Sequence, residues 1–190
     1  MGRTHDLATI TAISYVVATQ PPQTITLATG ITALLVGLVG GLTPDIDQPT
    51  ADLWRKFPAG SVIGRIFYPF LGGHRYISHS LLGILLFSWL SKLLFMRIGQ
   101  VLLVDMNIVW LAFMIGYTTH LIMDTFTHEG VPWLFPIPFR FGFPPFKFLR
   151  IKTGGVFEKT IVFPGLLFFT GYIYYQYYAK FLDLLKHYIK

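Results

Sequence analysis

Between Leu81 and Met96 a single charged residue, Lys92, interrupts sixteen consecutive positions of otherwise apolar or small character, and a second such run extends from Asn107 to Phe126. Runs of this length that stay apolar on every face have no solvated side, so they belong in a bilayer or at the centre of a large core. A chain of 190 residues cannot build a core large enough to bury several of them.

Composition supports the bilayer. Hydrophobic residues make up 53% of the chain and charged residues 13%, about half the share usual in soluble domains, with a mean hydropathy of +0.57. The expected fold class is therefore all-α: a polytopic membrane helix bundle of about five helices in a single domain over residues 1–190, with helices near 7–20, 24–42, 79–96, 107–126 and 160–181. Pro21-Pro22 ends the first helix, Pro44 ends the second, and Ser78 is the expected N-cap of the third. Ala33, Gly37 and Gly41 recur every fourth residue and predict close helix packing. Residues 1–20 are expected to remain in the mature chain, because Asp6 and the lack of a small-residue cleavage site argue against a leader.

Loops 44–78 and 128–159 fall on one face of such a bundle. That face collects Arg3, Arg55, Lys56, Arg65, Arg75, Arg140, Lys147, Arg150, Lys152 and Lys159, against Lys92, Arg97, Lys180, Lys186 and Lys190 elsewhere. The bias predicts that this face is cytoplasmic, in an inner (plasma) membrane. It also accounts for the net charge of +6 without nucleic acid as a partner. The stretch PWLFPIPFRFGFPPFKFLR, Pro132 to Arg150, interleaves aromatic and basic residues as the headgroup layer favours.

The same face gathers most of the chemistry-bearing residues. With no cysteine in the chain, a metal must be held by His, Asp, Glu or water. His120 and Asp124 are i and i+4 on the fourth helix and share a side of it. Asp45 and Asp47 lie two apart in the PDID loop, and His74 and His79 bracket Arg75 in GHRYISHS. His5 and Glu158 complete the set, while His128 is left outside it. Each motif alone fits a structural role, such as a buried His–Asp pair or a solvated turn; their convergence on one face is what points to one or two divalent metals in a mixed N/O site, zinc first and manganese or iron as alternatives.

These segments, PDID, GHRYISHS and GYTTHLIMDTFTHEGVPWLFP from Gly116 to Pro136, taken in this order and spacing, resemble the YdjM-like family of membrane-bound metal-dependent hydrolases. The resemblance runs from Thr4-His5 to about Lys159. It implies an inner-membrane enzyme with metal ligands at His5, Asp45, Asp47, His74, His79, His120 and Asp124, supported by Arg75, Thr127 and Glu158. The family often has a histidine where this chain has Gln48. A looser similarity of the helical HxxxD to the zinc-dependent phospholipase C group suggests a phosphodiester.

The expected function is hydrolysis of a phosphate-containing lipid or other phosphoester at the membrane interface by metal-activated water. Arg75 would steady the phosphate, with Asp47 and Glu158 as further catalytic groups. Two alternatives are a metal-independent histidine lipid phosphatase and a divalent-cation transporter or sensor. No Ser-Arg pair precedes HxxxD as the first would require, and ligands at helix ends rather than at the midplane disfavour the second.

Overall fold

The computed structural model describes residues 2–22, 25–51, 54, 60, 62, 64–66, 75–99, 101–137 and 139–188. Its elements are helices: α1 Gly2–Thr19, α2 Leu27–Leu42, a 3-10 turn Pro44–Asp47, α3 Leu81–Ile98, α4 Met106–Thr125, α5 Phe163–Gln176 and α6 Tyr178–Tyr188, with a short 3-10 turn at Lys147–Leu149 and a π turn at Glu158–Val162. Among the described residues there is no strand. Two isolated bridges, Thr127 with Ile151 and Val131 with Phe141, pin the second large loop. The chain is thus all-α as expected, and α3 and α4 are the described helices long and apolar enough to cross a membrane.

Several boundaries differ from the sequence reading, each for a local reason. α1 starts at Gly2 rather than near residue 7, which places His5 inside a helix. Its buried stripe is Thr4, His5, Ala8, Thr11, Ser14 and Ala18, small and polar rather than aliphatic, so apolar periodicity could not reveal it. The third helix is capped by Ser80, whose hydroxyl accepts from Gly83 N at 3.1 Å, and not by Ser78, which turns inward to Asp47. At the other end of the chain, the expected helix 160–181 is divided. Pro164 lies in the first turn of α5, the preceding residues wind as a π turn, and Tyr177 separates α5 from α6.

Packing centres on α2 and α4. Gly40 and Gly116 lie so close to the facing backbone that a β-carbon on Gly40 would collide with the Phe113 carbonyl, and one on Gly116 with the Gly37 carbonyl. Buried Ala33, Gly37 and Gly41 on α2 meet this seam as the small-residue spacing predicts. α1 adds to it from the side, where Thr9 Oγ1 occupies the space a Gly41 side chain would need. The hydroxyls of α1 are bonded across to α5: Thr11 to Thr170 at 2.6 Å and Ser14 to Tyr174 at 2.9 Å. The close approach brings the C-terminal ends of α2 and α4 together with the N-terminal ends of α1 and α3.

Candidate metal centre

At that junction the PDID turn sends its two carboxylates in different directions. A 3-10 helix turns about 120° per residue, so positions i and i+2 are about 240° apart and cannot share a face. Asp45, its side chain 34% exposed, faces His79, just before α3, and His120 of α4. Asp47 is fully buried, and its Oδ2 accepts from Arg75 N at 2.8 Å and from Ser78 Oγ at 2.5 Å. Of the two carboxylates expected at one cation, Asp45 thus lies with the histidines, while Asp47 shapes the 75–79 turn.

That turn delivers His79. Arg75 opens it in the left-handed region at φ 60°, a conformation that costs a non-glycine residue on the order of 1 kcal/mol and needs support from its surroundings. The support is double. Its backbone is held by Asp47, and its guanidinium pairs with Asp124 Oδ2 at 2.6 Å while donating to Thr127 Oγ1 and to the Gly130 carbonyl, each at 3.3 Å. The Tyr117 hydroxyl donates to the Ser78 carbonyl. His79 Nδ1 then lies 3.0 Å from Ser78 Oγ and 3.3 Å from Asp47 Oδ2, which turns Nε2 inward.

His120 is oriented by the main chain. Its Nδ1–H donates to the Gly41 carbonyl at 2.6 Å, which fixes the tautomer that leaves Nε2 with a lone pair. His5 stacks on His120, ring centroids 4.2 Å apart, and Asp124 sits one turn further along α4.

The inward atoms have a common spacing. His79 Nε2 is 3.6 Å from Asp45 Oδ1 and from Asp124 Oδ2, and His120 Nε2 is 3.7 Å from Asp45 Oδ1 and 3.6 Å from Asp124 Oδ2. His5 Nε2 is 3.6 Å from Asp124 Oδ1. These separations exceed the 2.7–3.2 Å of a hydrogen bond. Two ligands about 2.1 Å from one ion at the tetrahedral angle stand roughly 3.4 Å apart. His120 Nε2 and Asp124 Oδ1 are buried without a hydrogen-bond partner, an expensive condition that a shared cation relieves. The residues present therefore fit a divalent metal.

Two overlapping groups can hold it: His5, His120 and Asp124, and Asp45, His79 and His120. Because His120 has committed Nδ1 to Gly41, it has one nitrogen to share between them. The electrostatics are those of a site with excess negative charge. Burial alone would raise the Asp45 carboxyl, but its polar contact with His79 and the nearby imidazoles of His120, His79 and His5 hold it below the usual carboxylate range. Burial would likewise depress His79, yet its polar contacts with the Asp45 and Asp47 carboxylates push it up to about 9.

Glu158 stands beside this cluster: Oε1 accepts from Thr4 Oγ1 and Oε2 from Gly154 N, both at 2.6 Å, tying the start of α1 to the second loop next to His5. Gln48 turns outward to Thr50. His128 donates its backbone N–H to the Ile151 carbonyl and is in neither ligand group. His74 lies outside the described residues. The sequence reading missed Tyr117, the Gly41 carbonyl and Thr4. Tyr117 had a signal, since it falls three residues before His120 on the same helical face; a backbone carbonyl has none.

The Bacillus subtilis protein YvsG is 32% identical over 179 residues, 92% of this chain and 94% of its own length. The Escherichia coli inner membrane protein YdjM is 31% identical over 104 residues, 54% of this chain and 48% of its own, and the Shigella flexneri protein of the same name matches equally. No solved structure matches. The family described as YdjM inner membrane protein matches residues 1–181, and the chain belongs to it.

Proposed function

We propose that this YdjM-family member is a polytopic inner-membrane hydrolase that depends on one or two divalent metal ions, zinc first, and cleaves a phosphate-containing lipid or related phosphoester at the cytoplasmic interface. The observation that carries the reading is the spacing of the buried donors: nitrogen and oxygen atoms on four separate segments stand 3.6–3.7 Å apart, a geometry suited to a shared cation. A divalent metal bound there would polarise a phosphoryl or acyl oxygen and acidify water.

The chain's own residues divide into holding and positioning roles. His5, Asp45, His79, His120 and Asp124 are the ligands. Asp47 and the Gly41 carbonyl aim two of the imidazoles, and Arg75 holds Asp124 in place. Glu158 fixes the start of α1 through Thr4. Asp45 is the most exposed ligand, so the substrate oxygen approaches over the PDID turn. Arg75, whose terminal nitrogens are engaged with Asp124, Thr127 and Gly130, serves the ligand before it serves any phosphate. The location of the cluster, at the ends of both helices of spanning length, favours a substrate presented by the membrane surface.

The test is elemental analysis of the purified protein beside a phospholipid hydrolysis panel with and without chelator. We expect bound transition metal near or above one ion per chain, its loss in His120→Ala, and chelator-sensitive release of product. Protein that carries no such metal when purified from metal-replete cells, or hydrolysis that survives the chelator, refutes the reading; the second result would favour a metal-independent histidine phosphatase.

A further inference from the structure

The loop that follows α4 has features the metal centre does not need. From Gly130 to Phe157 the sequence contains no acidic residue, while Arg140, Lys147, Arg150 and Lys152 are basic. Among its described residues Phe143, Phe146 and Phe148 are 60%, 63% and 78% exposed, and Ile137 and Phe139 stand out beside them.

These side chains are displayed by a fixed backbone. Val131 and Phe141 exchange backbone hydrogen bonds at 2.8 and 2.9 Å, Phe143 N bonds the Thr125 carbonyl at 2.8 Å, and Ile151 N bonds the Phe126 carbonyl at 3.0 Å. Arg150 closes the tip from within, donating to the carbonyls of Pro144 at 2.8 Å and Pro145 at 3.1 Å. Both ends are thus fastened to the C-terminus of α4, and the aromatic rings have no route inward.

The loop is also fastened to the start of α3. Leu81 N bonds the Trp133 carbonyl at 3.0 Å, and Trp133 Nε1 bonds Thr125 Oγ1 at 3.1 Å. The exposed rings consequently sit at the ends of the two helices long and apolar enough to cross a membrane, the level at which hydrocarbon gives way to headgroups. Aromatic residues interleaved with exposed Arg140, Lys147 and Lys152, and no carboxylate among them, match a surface that is apolar beneath and negative above.

We propose that the described residues 132–137 and 139–157 form a rigid wedge that seats in an anionic lipid leaflet at the metal-centre end of the protein. This deepens the proposed function, resting on its placement of the site at the membrane surface, and names that surface as anionic. Arg75 joins the wedge to the site. Arg75 donates to Gly130 and Thr127 at the root of the loop and pairs with the ligand Asp124, so the seated loop and the metal ligand share a strut.

The absence of native cysteine allows a direct depth measurement on the full chain. Phe148→Cys carrying a nitroxide, with Phe146→Cys as a second site should the first not fold, is reconstituted in nanodiscs of phosphatidylcholine alone or mixed with phosphatidylglycerol. Collision of the label with oxygen is compared with collision by a water-soluble nickel chelate. We expect a several-fold preference for oxygen, larger when phosphatidylglycerol is present, and loss of that increment in Arg140→Gln/Lys147→Gln/Lys152→Gln. Equal access by the nickel chelate in both lipids overturns the proposal. So does spin–spin broadening that disappears on dilution with unlabelled protein, which would assign the loop to contact between copies. Metal content measured on the same preparations reports separately on the hydrolase reading.

Discussion

α3 and α4 are similar in length and both are apolar, yet 11% of residues in the most hydrophobic window of α3 are buried and 44% of those in α4. α3 presents leucines around most of its circumference and buries only Gly83 and Ser91; its contribution to the site is made before it begins, by Ser78 and His79. α4 buries Phe113, Tyr117, His120, Leu121 and Asp124 on one stripe. Overall apolarity, which makes the two look alike, measures fitness for hydrocarbon. The placement of a few small and polar residues decides which helix becomes a wall of the site and which a strut in the lipid.

The contrast predicts graded outcomes. The largest is at Asp124. Asp124→Asn removes a ligand and leaves the buried Arg75 guanidinium without its carboxylate, so loss of the metal should accompany about 4 kcal/mol of destabilisation, read as thermal unfolding in detergent. Next, Gly116→Val drives a side chain into the α2 backbone and should cost about 3 kcal/mol in the same assay. A smaller effect is expected at Asp47→Asn. That variant should fold, but with His79 poorly aimed its zinc affinity should fall about 10- to 100-fold in a competition titration against a chromophoric chelator. At the far end of the scale, Leu85→Ala on the outer face of α3, where Leu85 is 69% exposed, should change stability by less than about 0.5 kcal/mol. If Leu85→Ala proves as damaging as Gly116→Val, the division between wall and strut is wrong.

What could be read beforehand follows the range of the interactions involved. His120 and Asp124 are related by helical periodicity alone, and the glycine spacing of α2 announces a close neighbour; both are local signals. Asp45 and His79 stand 3.6 Å apart, and it was the shared face of the expected bundle that brought them together. The failures are tertiary. Whether Ser78 or Ser80 caps α3 depends on Asp47 being present to capture one of them, and two carboxylates two residues apart look equivalent until the turn type is known. Arg75 carries the right charge for a phosphate, but its positive φ points the guanidinium at Asp124, and no sequence rule gives that angle. The polar stripe of α1 was missed because its hydroxyls find their partners about 160 residues away.

One contact joins coordination to the shape of the whole molecule. His120 takes its orientation from the Gly41 carbonyl, a main-chain atom that no point substitution deletes. It can be lost only if α2 moves against α4. On the proposed membrane placement, α2, with 16 residues and about 24 Å of helix, is shorter than a hydrocarbon core of about 30 Å and so is exposed to mismatch. A bilayer that thickens or thins pulls on α2, and a displacement of about one ångström is enough to stretch a hydrogen bond beyond its useful length. On the proposed function, the site would in this sense gauge membrane thickness, with Gly41 as its contact point.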